Sequence, residues 1–151
     1  MVCHLLRSPH ARQPPSTLVT LASIRHERRI AAPAEVVWAL AGDPTRLAEW
    51  FPGIVGCVVE GRSRTITLAS GLSMPEELLV IDDVNRRFVY AITAPLFTSH
   101  RGTIDVVDLG DGTCLALYGT EADPRTMALV IAGAAAEGLD RLAELTEPEG
   151  A

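Results

Sequence analysis

Long apolar runs are missing from this chain of 151 residues, and none approaches the ~20 residues that a bilayer-spanning helix needs. Cysteine is scarce too. Cys3, Cys57 and Cys114 form an odd set at unrelated spacings with no C-x-x-C pair, which argues against a disulfide framework and a zinc site. The four histidines, His4, His10, His26 and His100, show no metal-ligand spacing, so neither a metal nor another cofactor is expected. Positive charge is thin: 13 basic against 19 acidic residues leave a net charge of −6, and the arginines are scattered. Nucleic-acid binding rests on clustered Lys and Arg, so that partner class is set aside. These shortages describe a reduced, cytoplasmic protein with no stable membrane insertion.

What is present is ordinary for a globular domain, with 48% apolar and 21% charged residues. A chain of this length buries roughly 68–70% of its unfolded surface without staples. Residues 1–19 differ from the rest. Pro9, Pro14 and Pro15 lie among Ser and Gln, with no apolar core followed by a cleavage site, so a disordered arm is expected rather than a secretory signal. A single domain over 20–147 and a tail over 148–151 complete the expected organisation.

Within the domain, about Leu21 to Ala31 alternates as a polar strand, with Ile24, His26, Arg28 and Ile30 on one face. Pro33 then opens a helix through "AEVVWALA", which Gly42 ends. Asp43-Pro44 reads as the cap and first position of a second short helix, through Trp50. Six strand candidates follow, namely "IVGCVVE", "RTITLA", "EELLVID", "RFVYAIT", "HRGTIDVVDL" and "TCLALYGT", with turn signals between them. A long helix, capped by Asp123 and opened by Pro124, runs to Pro148 and closes the chain. Strands in succession and then a helix predict an α+β fold with an antiparallel sheet of about seven strands.

The last helix carries Met127, Ile131, Ala134, Gly138, Leu142 and Leu145 on one stripe, large at its ends and small at its centre. Gly133 and Gly138 each cost about 1 kcal/mol against Ala. Two readings stand side by side. The small residues let the helix lie tight against the sheet, or Ala134 and Gly138 leave room for something that is not protein.

"APAEVVWALAGDPTRLAEWFPGI", "EGRSRTITLASG", "EELLVIDDVNRRFVYAI" and "EGLDRL" together resemble the START-like (SRPBCC) superfamily, in its polyketide cyclase/dehydrase and lipid-transport branch. The resemblance covers Ile24 to about Leu145 and implies a helix-grip fold, a curved antiparallel sheet around the C-terminal helix with two short helices after the first strand. "RTITLASGL" and "IDDVNRR" are also similar to the plant abscisic-acid receptors. That similarity implies a gate loop at Ser70-Gly71-Leu72, a cavity carboxylate at Glu76, an aromatic wall at Tyr90, and at His100 a group bonding ligand-bound water. Val55 stands where those receptors carry the Lys that pairs with the hormone's acid, so binding of that acid is not implied. "APLFTSHRG" likewise departs from their second loop.

Strand parity adds its own reading. Neighbouring side chains of a strand face opposite ways, which turns Arg64, Ile66 and Leu68 inward, then Phe88, Tyr90 and Ile92, then His100, Gly102, Ile104 and Val106. In "EELLVID" parity is ambiguous because Leu78 and Leu79 are both apolar; the resemblance selects Glu76 and Leu78. Pro75 is expected to keep this strand from starting earlier. Four inward polar groups, Arg64, Glu76, Tyr90 and His100, read either as the wet end of an apolar ligand pocket or as structural, with Arg64 and Glu76 an ion pair closing the sheet. Trp38 and Trp50 are read as packing anchors.

Three functions follow. The first is a carrier or sensor of a hydrophobic lipid, polyketide or isoprenoid-like molecule. The second is a cyclase or dehydratase, with Glu76 or His100 as base and Tyr90 or Arg64 as hydrogen-bond donor. The third is a protein-interaction module, which requires an exposed apolar patch.

Overall fold

Period-two patterning organises most of the chain into one antiparallel sheet. The computed structural model describes residues 21–149. The arm expected over residues 1–19, and residues 150–151 of the expected tail, lie outside the described residues. The order is β1 (Ala22–Ile30), α1 (Ala34–Ala41), α2 (Leu47–Trp50), β2 (Ile54–Glu60), β3 (Ser63–Leu68), β4 (Ser73–Asp82), β5 (Arg87–Ile92), β6 (Ser99–Asp108), β7 (Cys114–Asp123) and α3 (Arg125–Thr146). β2 to β7 pair in succession and β1 pairs with β7, giving a seven-stranded sheet in the order β1-β7-β6-β5-β4-β3-β2. This is the expected α+β helix-grip architecture. β-bulges bend a strand and increase its twist, and register shifts at Ile54/Gly56 in β2 and Leu78/Val80 in β4 help to curve the sheet around α3.

Three local expectations need correction. Asp43 does not cap α2, whose N-cap is Arg46; the Asp43 carboxylate instead accepts from the Thr45 N–H and hydroxyl, closing an Asx turn before the helix. Asp123 belongs to β7 and does not cap α3, which follows Pro124 without a side-chain cap. Pro75 does not stop β4 from starting earlier, because β4 begins at Ser73 and Pro75 pairs with Thr65. The Pro75 carbonyl accepts from the Thr93 N–H, just past the end of β5. Its nitrogen faces the same side and has no hydrogen to donate, one step beyond the last pair of the β4–β5 ladder, Glu76 with Ile92.

α3 buries Ala128, Ala132, Ala135, Gly138, Leu139, Leu142 and Ala143, a stripe turned away from the expected one. Alanine at 128, 132 and 135 brings its backbone close to β1 and β7, against which the helix packs. Met127, Ile131 and Ala134 fall at the flank, and Leu145 is 42% exposed. A Cβ at Gly138 would meet Trp50 and Phe51 at 3.4 Å, so this glycine serves close packing. Gly133 is exposed with nothing within 4 Å of a Cβ placed there, and nothing in the structure explains it. Gly133→Ala should therefore raise the unfolding free energy by about 1 kcal/mol, read from the shift of the urea midpoint at constant slope.

Candidate functional site

The concave face of the sheet and the first turns of α3 enclose a cavity of about 350 Å³. Ile66 and Leu68 of β3, Met74 and Glu76 of β4, and Tyr90 and Ile92 of β5 form its wall, with Tyr118 of β7 beside them. Met127, Ile131 and Ala134 close the helix side. Phe51, Gly53 and Ile54 after α2, Ser70 and Leu72 between β3 and β4, and Leu96 and Phe97 between β5 and β6 surround the mouth. Gly71 makes the β3–β4 turn with φ +87°. That left-handed region is open to glycine without steric cost.

Polar chemistry gathers at the inner end. Arg64 and Glu76 face each other across β3 and β4, and Arg64 Nε donates to Glu76 Oε2 at 2.6 Å with both side chains only 2% exposed. The guanidinium lies over the rings of Phe88 and Tyr90, at 5.2 and 5.1 Å from their centroids, and donates through Nη1 to the Pro44 carbonyl at 3.3 Å. Its Nη2 is buried without a partner among the described residues. Burial raises the Glu76 pKa, and the Arg64 charge and hydrogen bond pull it back. An arginine stays protonated in proteins, and its Nε–H donated to Glu76 Oε2 favours the ionised carboxylate. Oε1 of Glu76 has no hydrogen-bond partner among the described residues and faces a wall otherwise mostly apolar.

Tyr90 and Tyr118 share a short hydrogen bond between their hydroxyls. Burial holds both phenols well above their ordinary pKa, hence neutral. Gly102 makes this possible. It lies opposite Tyr90 in the β5–β6 ladder, and a Cβ there would stand 2.2 Å from Tyr90 Cε1, inside the ring's own space. A glycine inside a strand marks such an approach, a signal that the sequence carries at Gly102, where strand parity gives only an inward position.

His100 is inward but outside the cavity wall. Its Nδ1 accepts from the Ile92 N–H at 3.0 Å, which leaves the proton on Nε2, 3.4 Å from Thr120 Oγ1. Burial pushes its pKa down to about 4. A ring whose lone pair is taken by backbone cannot act as a base in the cavity.

The structure thus brings Ile66, Leu68, Leu72, Glu76, Tyr90 and Ala134 to the cavity and leaves five other candidates outside its wall. Val55 is 64% exposed at the β2 bulge, and its neighbour Ile54 takes the wall position. Arg64 stands behind Glu76 as its counter-ion. Leu78 is buried core, His100 anchors β5, and Gly138 packs on Trp50. Trp38 donates to Asp83 Oδ1 at 3.0 Å and Trp50 packs edge-on to Tyr118, both as anchors. Tyr118, Met74 and Phe97 were not singled out, although alternation in "TCLALYGT" turns Tyr118 inward with Ala116. Among the described residues, no group of three His, Cys, Asp or Glu is placed to hold a metal ion.

The family described as polyketide cyclase/dehydrase and lipid transport matches residues 22–147. The chain belongs to this family. It is similar to the protein XoxI from Bacillus cereus, at 25% identity and TM-score 0.77 over 83% of this chain and 95% of that one. An aromatase/cyclase from a Streptomyces species shares the fold at 16% identity and TM-score 0.70, over 83% of this chain and 93% of its own. A START superfamily protein from Mycobacterium smegmatis does so at 18% identity and TM-score 0.67, over 82% and 96%. No curated protein matches the chain.

Two outcomes test this geometry. Gly102→Ala should displace the Tyr90 ring and break the Tyr90–Tyr118 bond, lowering stability by about 1–3 kcal/mol, the usual cost of overpacking, with a changed tyrosine near-ultraviolet signal. His100 has a folded pKa near 4 below its ordinary 6.5. The unfolded chain therefore binds the extra proton first, and stability falls as pH drops from about 6.5 towards 4. Between pH 7 and 5 the loss from this group is about 2 kcal/mol. His100→Asn, which keeps an acceptor for the Ile92 N–H, should remove that part of the pH dependence in urea denaturation.

Proposed function

We propose that this chain binds a hydrophobic small molecule in the cavity between sheet and helix, as a carrier or sensor. One observation carries the reading: the wall is aliphatic and aromatic except at its inner end, where Glu76 and the Tyr90–Tyr118 pair stand together. A pocket of about 350 Å³ with few convergent polar groups is the ordinary form of a small-molecule site. Among the described residues no helix is long and apolar enough to cross a membrane. Cys57 and Cys114 are both free thiols, and we place the protein in the cytoplasm on that ground.

A second reading is favoured by the same inner end. Glu76 Oε1 is an unpartnered acceptor on the wall that also holds two neutral phenols. A base for a C–H proton and a donor for an enolate oxygen are what an aldol cyclisation requires. Under that reading Glu76 is the base and the tyrosine pair the donor, while His100 and Arg64 drop out, the first bonded to backbone and the second committed to Glu76.

Native mass spectrometry of freshly purified protein, followed by denaturation and identification of what is released, separates these readings. The carrier reading expects a discrete extra mass of a few hundred daltons, retained more weakly by Glu76→Ala. A bare protein that also binds no added apolar probe would sink it. Turnover of a poly-β-ketone probe, abolished by Glu76→Gln, would move the assignment to the enzyme.

A further inference from the structure

The inner end of the cavity has a hydrogen-bonding sign. Glu76 is anchored through Oε2 by Arg64, its side chain is 2% exposed, and Oε1 is left without a partner among the described residues, on the cavity wall. An ionised carboxylate is an acceptor only. Oε1 opens on the cavity, so the proton it lacks from the protein comes from water or from a ligand. A ligand that displaces water there without bringing a proton leaves the acceptor unmet, at a cost of about 1–3 kcal/mol or more. The Tyr90 and Tyr118 hydroxyls use one proton between them and keep one proton and lone pairs to share.

The positive charge nearest the inner end is already committed. Arg64 faces Glu76, the Pro44 carbonyl and the rings of Phe88 and Tyr90, and although its Nη2 has no partner among the described residues, the side chain is not part of the cavity wall. A carboxylate ligand would place its oxygens against Oε1 with no free cation among the described residues of that wall, and like charges at one buried site disfavour each other. Volume adds a second limit. A cavity of about 350 Å³ lies at the small end of the range for small-molecule sites.

We infer that the cavity selects compact apolar molecules whose single polar group is a hydrogen-bond donor, an alcohol, phenol or amine, and that it rejects carboxylic acids of the same shape. The inference rests on the small-molecule reading above and names the head group that the same cavity takes. Glu76 Oε1 is the discriminating atom, with the tyrosine pair beside it.

Calorimetric titration of the full chain with four matched probes tests it: para-butylphenol, para-butylbenzylamine, para-butylbenzoate and butylbenzene. Phenol and amine should bind at least about tenfold tighter than benzoate, since a hydrogen bond to a charged group is worth ~1.5–3 kcal/mol. Glu76→Gln should narrow that ratio towards unity, by loss of phenol and amine affinity and gain of benzoate affinity. Tyr118→Phe leaves the ion pair intact and should lower phenol affinity several-fold, which keeps the test available if Glu76→Gln does not fold. Benzoate or butylbenzene binding as tightly as the phenol overturns the head-group inference and leaves the cavity reading standing. Failure of all four probes to bind overturns both.

Discussion

A buried arginine facing a buried glutamate is the constraint around which this structure is arranged. Removing two charges from water is expensive, and the attraction between them offsets that cost only when geometry and further hydrogen bonds are good. Here the cost is met by adjacent strands that hold Arg64 and Glu76 opposite one another, by the Pro44 carbonyl before α2, and by the faces of Phe88 and Tyr90. Each of these comes from a different element. The pair therefore fixes β3 against β4, orients the aromatic wall of β5, and ties the short helices to the end of the sheet. It also leaves one oxygen pointing into an otherwise oily space.

That arrangement was partly legible in the sequence. Alternation alone turned Arg64, Ile66, Phe88, Tyr90, Ile92, His100 and Ile104 inward, and burial agrees at each. Where alternation failed, the cause is physical. Leu78 and Leu79 looked equivalent because the β4 register shifts between Leu78 and Val80, and an extra residue in a strand destroys its period. Val55 sits at the corresponding irregularity in β2, so Ile54 and not Val55 reaches the cavity. His100 shows another limit. Its direction was readable, but the partner of its Nδ1 is a backbone N–H on β5, which exists only once two strands pair.

The small residues of α3 answer their question in two ways. Gly138 and the buried alanines bring the helix down onto Trp50, Phe51 and the sheet, while Ala134, a turn earlier, faces open space. The helix is close along its buried face and open along the flank that carries Met127, Ile131 and Ala134, so the cavity lies beside the line of contact. A periodicity count gives a stripe but not its orientation, because only the direction of the helix relative to the curved sheet distinguishes the packed face from the open flank.

The element order has a consequence for how the cavity comes into being. All seven strands precede α3 in the chain. Strands β2 to β7 are joined to their neighbours by local connections, whereas β1 reaches its place beside β7 and α3 only across the whole domain. Loop-closure entropy precedes the gain from such long-range contacts, so the trough is built from near neighbours and is covered only when the first strand and the last helix of the domain come together.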